Sequence, residues 1–254
     1  MALFIGTSLH LFEKLPSTNS YAQEMLTRRE AVAEGTLIQA FEQTAGRGQQ
    51  GTIWQSDAGQ NLTFSIILRP TFLPINEQFS LNQAISLAVI DFLTPYIKKN
   101  DSKSEPRIKW SNDILIGEKK ICGILIENSI QNRQLATTIL GIGLNINQLD
   151  FENLPQATSL RKITGAEYDL AALRQELCDC IEARYLQLRR KHIKQLEKDY
   201  LAVLYRFGED ACYERTATNA IFWARIIGIT PEGKLEILHQ GGVDVFSLKE
   251  IKFL

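Results

Sequence analysis

KWSNDILIGEKKICGILIE, residues 109–127, sets two apolar runs, Ile114-Leu115-Ile116 and Ile121 to Ile126, on either side of the polar turn Gly117-Glu118-Lys119. Apolar runs of this length around a glycine-bearing turn predict two antiparallel strands joined by a short loop. Lys109, Asp113 and Lys120 stand at the ends of the runs. A rigid sheet can aim three such residues into one cleft. A solvated strand edge would carry the same letters, because most Lys and Asp side chains are exposed. The stretch by itself leaves both readings open.

Upstream, Leu81, Ala84, Ile85, Ala88, Val89 and Phe92 recur at helical spacing and predict a core helix from Ser80 to Phe92. The polar KKNDSKSEP, residues 98–106, predicts a surface loop. Leu62 to Leu68 and Thr36 to Phe41 read as strands, and the connection between them, Glu42 to Trp54, holds three glycines and the lone cation Arg47. Its Gly46-x-Gly48-x-x-Gly51 has the letters of a dinucleotide fingerprint, but that fingerprint needs a helix starting at the last glycine to hold the pyrophosphate. TIWQSDAGQN follows instead and reads as loop, so the Rossmann reading is rejected. What remains is a loop whose N–H groups can approach a phosphate or carboxylate beside a fixed guanidinium. A connection without any ligand fits equally. Nearer the N-terminus, Pro16 closes an apolar segment, and Ser17-Thr18-Asn19 offers caps for the amphipathic helix YAQEMLTRREA; capping alone accounts for these residues.

Downstream, Gln131-Asn132-Arg133 reads as a turn and Leu135 to Asn147 as a long buried strand. Gly141 and Gly143 lie inside it, where glycine marks close approach of a ligand or another backbone. Residues 150–157 read as loop. From Asp169 to about Leu204 there is no Pro or Gly, which predicts two helices, or one bent near His192, with a charged outer face. At Gly208 the character changes. The strand-like runs Ala220 to Thr230, Lys234 to His239 and Val243 to Leu248, split by glycine turns, predict a small all-β module of the SH3-barrel type.

The bulk properties exclude several classes. With 254 residues, 44% hydrophobic and 22% charged, the chain has the composition of a globular protein able to bury a sizeable core. Its formal charge of −1 gives no electrostatic basis for general nucleic-acid binding. No apolar run reaches the roughly 18–20 residues of a membrane span, and the N-terminus lacks a basic region and a cleavage site, which predicts a cytoplasmic protein. Cys122, Cys178, Cys180 and Cys212 form no CxxC pair and read as free thiols, and His10, His192 and His239 are too scattered for zinc.

Taken in order, GRGQQGTIW (46–54), KWSNDILIGEKKICGILIE (109–127) and GIGLNIN (141–147) resemble the motif series of the biotin protein ligases, and the likeness covers nearly the whole chain. It implies an α+β fold: a mixed β-sheet with flanking helices, similar to class II aminoacyl-tRNA synthetases and lipoate ligases, over residues 1–207, then an SH3-like barrel over 208–254. It implies a biotin–[acetyl-CoA-carboxylase] ligase that joins biotin and ATP as biotinyl-5′-AMP and passes biotin to a lysine of a biotin carboxyl carrier protein. Because the implied catalytic domain begins almost at residue 1, the chain resembles the monofunctional members without a DNA-binding domain. Homodimers occur in the family, so the resemblance admits one.

The same resemblance assigns roles residue by residue. Lys120 is the cation facing the reacting carboxylate and α-phosphate, with Arg47 beside it. Asp113 is either a Mg²⁺ ligand or the proton acceptor for the carrier lysine. Ser17, Thr18, Asn19 and Gln43 hydrogen-bond the ureido ring of biotin; Gly46 with Arg47 holds its carboxylate; Gly123, Gly141 and Gly143 leave room for its bicycle. Gly48, Gln49, Lys109, Trp110, Asn112 and Asn145 lie on the adenylate side, with Trp54 stacking on adenine. Two departures stand out. Gln49, Gln50 and Thr52 replace arginines common in the family loop, and Ser111 replaces the proline of its usual KWPND. A lipoate ligase would carry an RRxxGGG-type loop and an HD signature, and neither is present. A non-catalytic biotin sensor would have no need to retain Lys120, Arg47 and Asp113 together.

Overall fold

The computed structural model describes residues 3–28, 31–99, 104–152 and 154–254, without the side chains of Gln50 and Lys99. Seven strands, β1 (Leu9–Leu15), β2 (Leu37–Gln43), β3 (Leu62–Leu68), β4 (Pro106–Lys109), β5 (Asp113–Ile116), β6 (Lys119–Gln131) and β7 (Gln134–Leu144), form one sheet in the order β1-β2-β3-β7-β6-β5-β4. β1 runs parallel to β2, and the other neighbours are antiparallel. Every residue of β3 is buried, because this strand is covered on both sides.

Alternation along the strands divides the apolar residues between the two faces. Leu62, Phe64, Ile66 and Leu68, with Leu140, Ile142 and Leu144, meet the long helix α2 (Phe79–Lys99). Helices α4 (Leu170–Arg189) and α5 (Ile193–Ala202) back α2, and the short α3 (Leu160–Thr164) precedes them. On the opposite face Ile38, Ala40, Ile67 and Ile139 pack on Ala22 and Met25 of α1 (Thr18–Thr27). Each buried Leu, Ile, Phe or Met side chain contributes about 1.5–3 kcal/mol. α1 covers only part of this second face. Beyond its N-terminus the register sets Thr63, Gly143, Gly123 and Asp113 in one row across four strands, and Ser65, Gly141 and Leu125 in the next. Glycines in both rows leave a depression in the sheet.

A bulge supplies the depression with its cation. Between β5 and β6, Ile114 pairs with Cys122 but Leu115 pairs with Lys120, so Ile121 is an extra residue. A bulge re-phases alternation. Ile121 and Cys122 both enter the core, and Lys120, which strict alternation would aim at the core, comes out on the face of Gly123.

The predicted hairpin is β5–β6, turning at Gly117 (φ 61°). Several boundaries differ from expectation. α2 runs on past Phe92 because Leu93 and Ile97 continue its buried stripe. Of the loop expected at 98–106, residues 98 and 99 are helical, 100–103 lie outside the described residues, and Pro106 opens β4. The long helical region is two helices, α4 and α5. The short strands β4 and β12 (Ile251–Phe253) carry too few residues to stand out in sequence, and β8 (Asp210–Arg215) is broken up by charged residues.

After α5, β8, β9 (Ala220–Ile229), β10 (Leu235–His239), β11 (Gly242–Phe246) and β12 form an antiparallel sheet in the order β11-β10-β9-β8-β12. The all-β module is present. Among the described residues no pairing joins β11 to β12, so closure into the expected SH3-type barrel is not seen. The core runs on across residue 207: Tyr213, Ile226, Leu235 and Phe246 belong to the same cluster as Ile108, Trp110 and Leu204. No helix among the described residues is long and apolar enough to cross a membrane.

Candidate active site

The depression is a cavity of about 300 Å³. Its inner end is built on the start of α1, where Ser17 caps the helix and Thr18 and Asn19 are each only 3% exposed. Gln43 Oε1, at the end of β2, accepts from Thr18 N (2.8 Å) and Thr18 Oγ1 (3.2 Å). Ser65 Oγ lies 2.7 Å from Thr18 Oγ1 and 2.6 Å from Asn19 Oδ1. Buried polar atoms of this kind must be paired, and here they pair with one another at the cavity wall, ready to share bonds with a polar ring. Gly141 makes the arrangement possible: a Cβ there would overlap the Asn19 amide oxygen.

The charged residues gather at the open end. Lys120 Nζ is 2.7 Å from Asp113 Oδ1, both side chains about a third exposed. It also lies 5.8 Å from the centre of the Trp54 ring. The Arg47 guanidinium is held by the Glu127 carboxylate and by Ser20 Oγ (3.2 Å). The glycine loop folds over as a small lobe. Arg47 bridges Ile53, Trp54 N donates to Gly46 O (3.0 Å), Gly48 N donates to Thr52 O (2.7 Å), and a single 3-10 turn, Gln49–Gly51, joins the limbs. No helix follows, as the rejection of the dinucleotide fingerprint required. Gly46 and Gly48 are the close-approach points, since a Cβ on either would strike Trp54 O or Thr52 Oγ1.

Of the residues singled out from sequence, Ser17, Thr18, Asn19, Gln43, Arg47, Gly48 and Gln49 line the cavity, as do Trp54, Asn112, Asp113, Lys120, Gly123, Gly141 and Gly143. Four do not. Gly46 sits behind the wall as a loop hinge. Trp110 is buried and donates from Nε1 to Gly233 O (3.0 Å), which pins the catalytic sheet to the C-terminal one. Asn145 is buried, donating from Nδ2 to Thr158 O (3.0 Å). Lys109 turns the other way: its Nζ lies 5.3 Å from the Phe253 ring, in an adjoining hollow with Lys249 and Lys252. Burial there lowers its pKa against the opposing pull of Asp113. The floor also differs from expectation, because the Trp54 indole lies over Gly143, with Gly123 beside it. Its Nε1 is buried without an acceptor among the described residues.

Other cavity residues had no signal in the motifs. Leu248 and Lys249 arrive from the turn after β11, a contact only tertiary structure reveals. Ser65 and Glu127, outside the lining itself, bond Asn19 and Arg47; Glu127 closes the hairpin motif, and Ser65 was legible in principle from strand parity once the β3-β7-β6 register was known.

A family model described as the biotin/lipoate A/B protein ligase family matches residues 11–145, from β1 to just past β7, which contain this cavity's glycine loop, hairpin and glycine strand. The chain belongs to that family. Among its ligase relatives, the bifunctional ligase/repressor BirA of Bacillus subtilis is 32% identical over 243 residues, 94% of this chain and 72% of that protein. The biotin–[acetyl-CoA-carboxylase] ligase of Paracoccus denitrificans is 31% identical over 247 residues, 94% of this chain and 99% of its own. The biotin protein ligase from Aquifex aeolicus, solved in complex with biotin and ATP, matches with a TM-score of 0.78 at 25% identity, covering 98% of this chain and 99% of that one.

Proposed function

We propose that this cavity performs the two half-reactions of a biotin–[acetyl-CoA-carboxylase] ligase. The observation that carries the reading is the meeting of two unlike groups in one cavity: Lys120, brought out by the bulge, and the paired polar wall of Thr18, Asn19 and Gln43. The wall suits a small ring with amide-like donors and acceptors, and the cation suits a reaction between two anions.

In the first step a biotin carboxylate oxygen bonds to the α-phosphorus of ATP, the bond from that phosphorus to the bridging oxygen breaks, and pyrophosphate leaves. Negative charge concentrates on the carboxylate and α-phosphate as they meet. A fixed ammonium at that point stabilises the transition state more than the separated substrates. Lys120 takes this role, with Asp113 Oδ1 2.7 Å from its ammonium. The Arg47 lobe supplies a second cation and covers the mixed anhydride against water. In the second step the carrier lysine amine attacks the acyl carbon, AMP leaves, and the amine gives up a proton, which the Asp113 carboxylate is placed to accept.

Mg²⁺ is compatible with the donor set. Among the described residues no three His, Cys, Asp or Glu side chains converge. Mg²⁺ in nucleotide sites, however, is commonly held by one or two carboxylates plus phosphate oxygens. Asp113 is the carboxylate available, with Asn112 adjacent on the cavity wall. When bound, the ion would neutralise phosphate charge.

The test is biotin-dependent exchange of pyrophosphate into ATP, with lipoate as the control acid. Wild type exchanges with biotin and not with lipoate, and Lys120→Ala loses about 10²-fold or more of the rate. An exchange that ignores biotin would overturn the assignment, and one that prefers lipoate would move the chain to the other branch of its family.

A further inference from the structure

Glu127 ends the quoted hairpin motif, yet the reaction described above gives it nothing to do. It lies on β6 one row beyond Leu125 and opposite Ile139, on the face of the cavity floor. Its two carboxylate oxygens have separate partners. Oε2 accepts from Asn19 Nδ2 at 2.8 Å, and Oε1 accepts from Arg47 Nη2. We propose that Glu127 is a positioning residue of this site, whose carboxylate orients the Asn19 amide with one oxygen and parks Arg47 with the other until a ligand anion replaces it.

The first half follows from hydrogen-bond inventory. An ionised carboxylate only accepts, so the Asn19 NH₂ must face Glu127 and the Asn19 oxygen must face Ser65. Ser65 in turn touches Thr18, and Thr18 touches Gln43. The donor directions of Asn19 and Ser65 are thus set from one end, while Gln43 Oε1 is fixed separately as the acceptor of Thr18 N. Without that end the amide can turn over, and the wall presents a mixture of donor patterns to the ligand.

The second half follows from charge. Arg47 sits on the glycine lobe, and its guanidinium is tied to the body by the ion pair to Glu127 and the bond to Ser20 Oγ. Both partners of the pair are partly exposed, which makes the pair weak enough to exchange. An incoming carboxylate or phosphate competes for the same guanidinium. Glu127 therefore holds Arg47 at the cavity wall and gives way when a ligand's charge arrives.

The proposal takes its ligand from the biotin-ligase reading, so its test has one arm that needs biotin and one that does not. The first arm is biotin affinity by titration calorimetry for wild type, Glu127→Ala and Glu127→Gln. Ala weakens biotin binding about tenfold, the size of one lost orienting hydrogen bond, while ATP affinity and melting temperature stay near wild type. Gln, with one acceptor oxygen for two donors, falls between. Asn19→Ala combined with Glu127→Ala is no weaker than Asn19→Ala alone, because one acts through the other. The second arm is trypsin cleavage after Arg47 in the ligand-free protein, followed by mass spectrometry. Release of the lobe makes this cut about two- to fivefold faster in Glu127→Ala, and biotin with ATP slows it in wild type. Unchanged biotin affinity together with unchanged cleavage would overturn the proposal. So would a loss of biotin affinity matched by equal losses of ATP affinity and melting temperature, which marks general damage. If wild type binds no biotin, the functional reading fails, and the cleavage arm alone decides the Glu127–Arg47 contact.

Discussion

Gly141 shows how much of the chemistry rests on a missing atom. Its Cα lies under the Asn19 amide so closely that a single methyl group would occupy the place of Asn19 Oδ1. Asn19 cannot yield freely, because Ser65 and Glu127 hold both ends of its amide. Gly141→Ala should therefore raise the KM for biotin by about tenfold or more, the cost of losing one or two buried hydrogen bonds, with a smaller change in the KM for ATP. Steady-state exchange kinetics check this, and an equal rise in both constants would count against it. The role of glycine was legible in sequence at this position, since a glycine inside an apolar strand signals close approach. The partner was not. Nothing in the letters says that Gly141 makes room for Asn19, or that Gly143 lies beneath the Trp54 indole rather than under open space.

Elements were legible where period and length were strong: β3 and the β5–β6 hairpin fell where the apolar runs placed them. The bulge at Ile121 was not legible, because the pattern of letters has no mark for an extra residue. Yet the bulge decides whether Lys120 serves the cavity or lies buried. The N-terminal segment is a second element without a sequence signal. Leu3, Phe4 and Ile5 donate their N–H groups to the Glu182 carboxylate at 2.5, 2.9 and 2.9 Å, and Glu182, on α4, is 4% exposed. Glu182→Ala leaves these donors without their acceptor and should lower stability by about 2–4 kcal/mol, read as a fall in denaturation midpoint with little change in the KM for biotin of the folded fraction. The glycine lobe carries a third prediction. Its shape comes from bonds between its own limbs, Gly48 to Thr52 and Trp54 to Gly46, and not from the arginines that Gln49, Gln50 and Thr52 replace. Restoring one cation, Gln49→Arg, adds charge beside the adenylate and should slow release of biotinyl-AMP by about tenfold. Equal off-rates for the two proteins would refute that.

On the scale of the whole molecule, the C-terminal sheet is part of the catalytic assembly. Its core is continuous with that of the larger sheet, and Trp110 is fastened to it through Gly233. From its edge the turn between β11 and β12 reaches back over the cavity. Lys249 takes a left-handed conformation there (φ 68°), which costs a non-glycine residue energy and persists only where its surroundings fix it. Thr216 does so, bonding the Lys249 carbonyl from Oγ1 at 2.6 Å, while Ser247 N and Glu250 Oε2 close the turn at 2.6 Å. Lys249 lines both the main cavity and the hollow that holds Lys109 and Lys252. Basic side chains gather on that side of the cavity, Lys252 among them paired with Glu214 at 3.3 Å, and basic groups favour the more highly charged substrate, so their effect is expected to fall on ATP and not on biotin. Lys249→Ala is expected to raise the KM for ATP by about tenfold, the value of one charge-assisted contact, and to leave the KM for biotin within a factor of two or so. Rising ionic strength should erode the wild-type advantage, because a lysine this exposed is screened by salt. A variant whose KM for biotin rose in step with that for ATP would show that the turn shapes the whole cavity and does not single out the nucleotide.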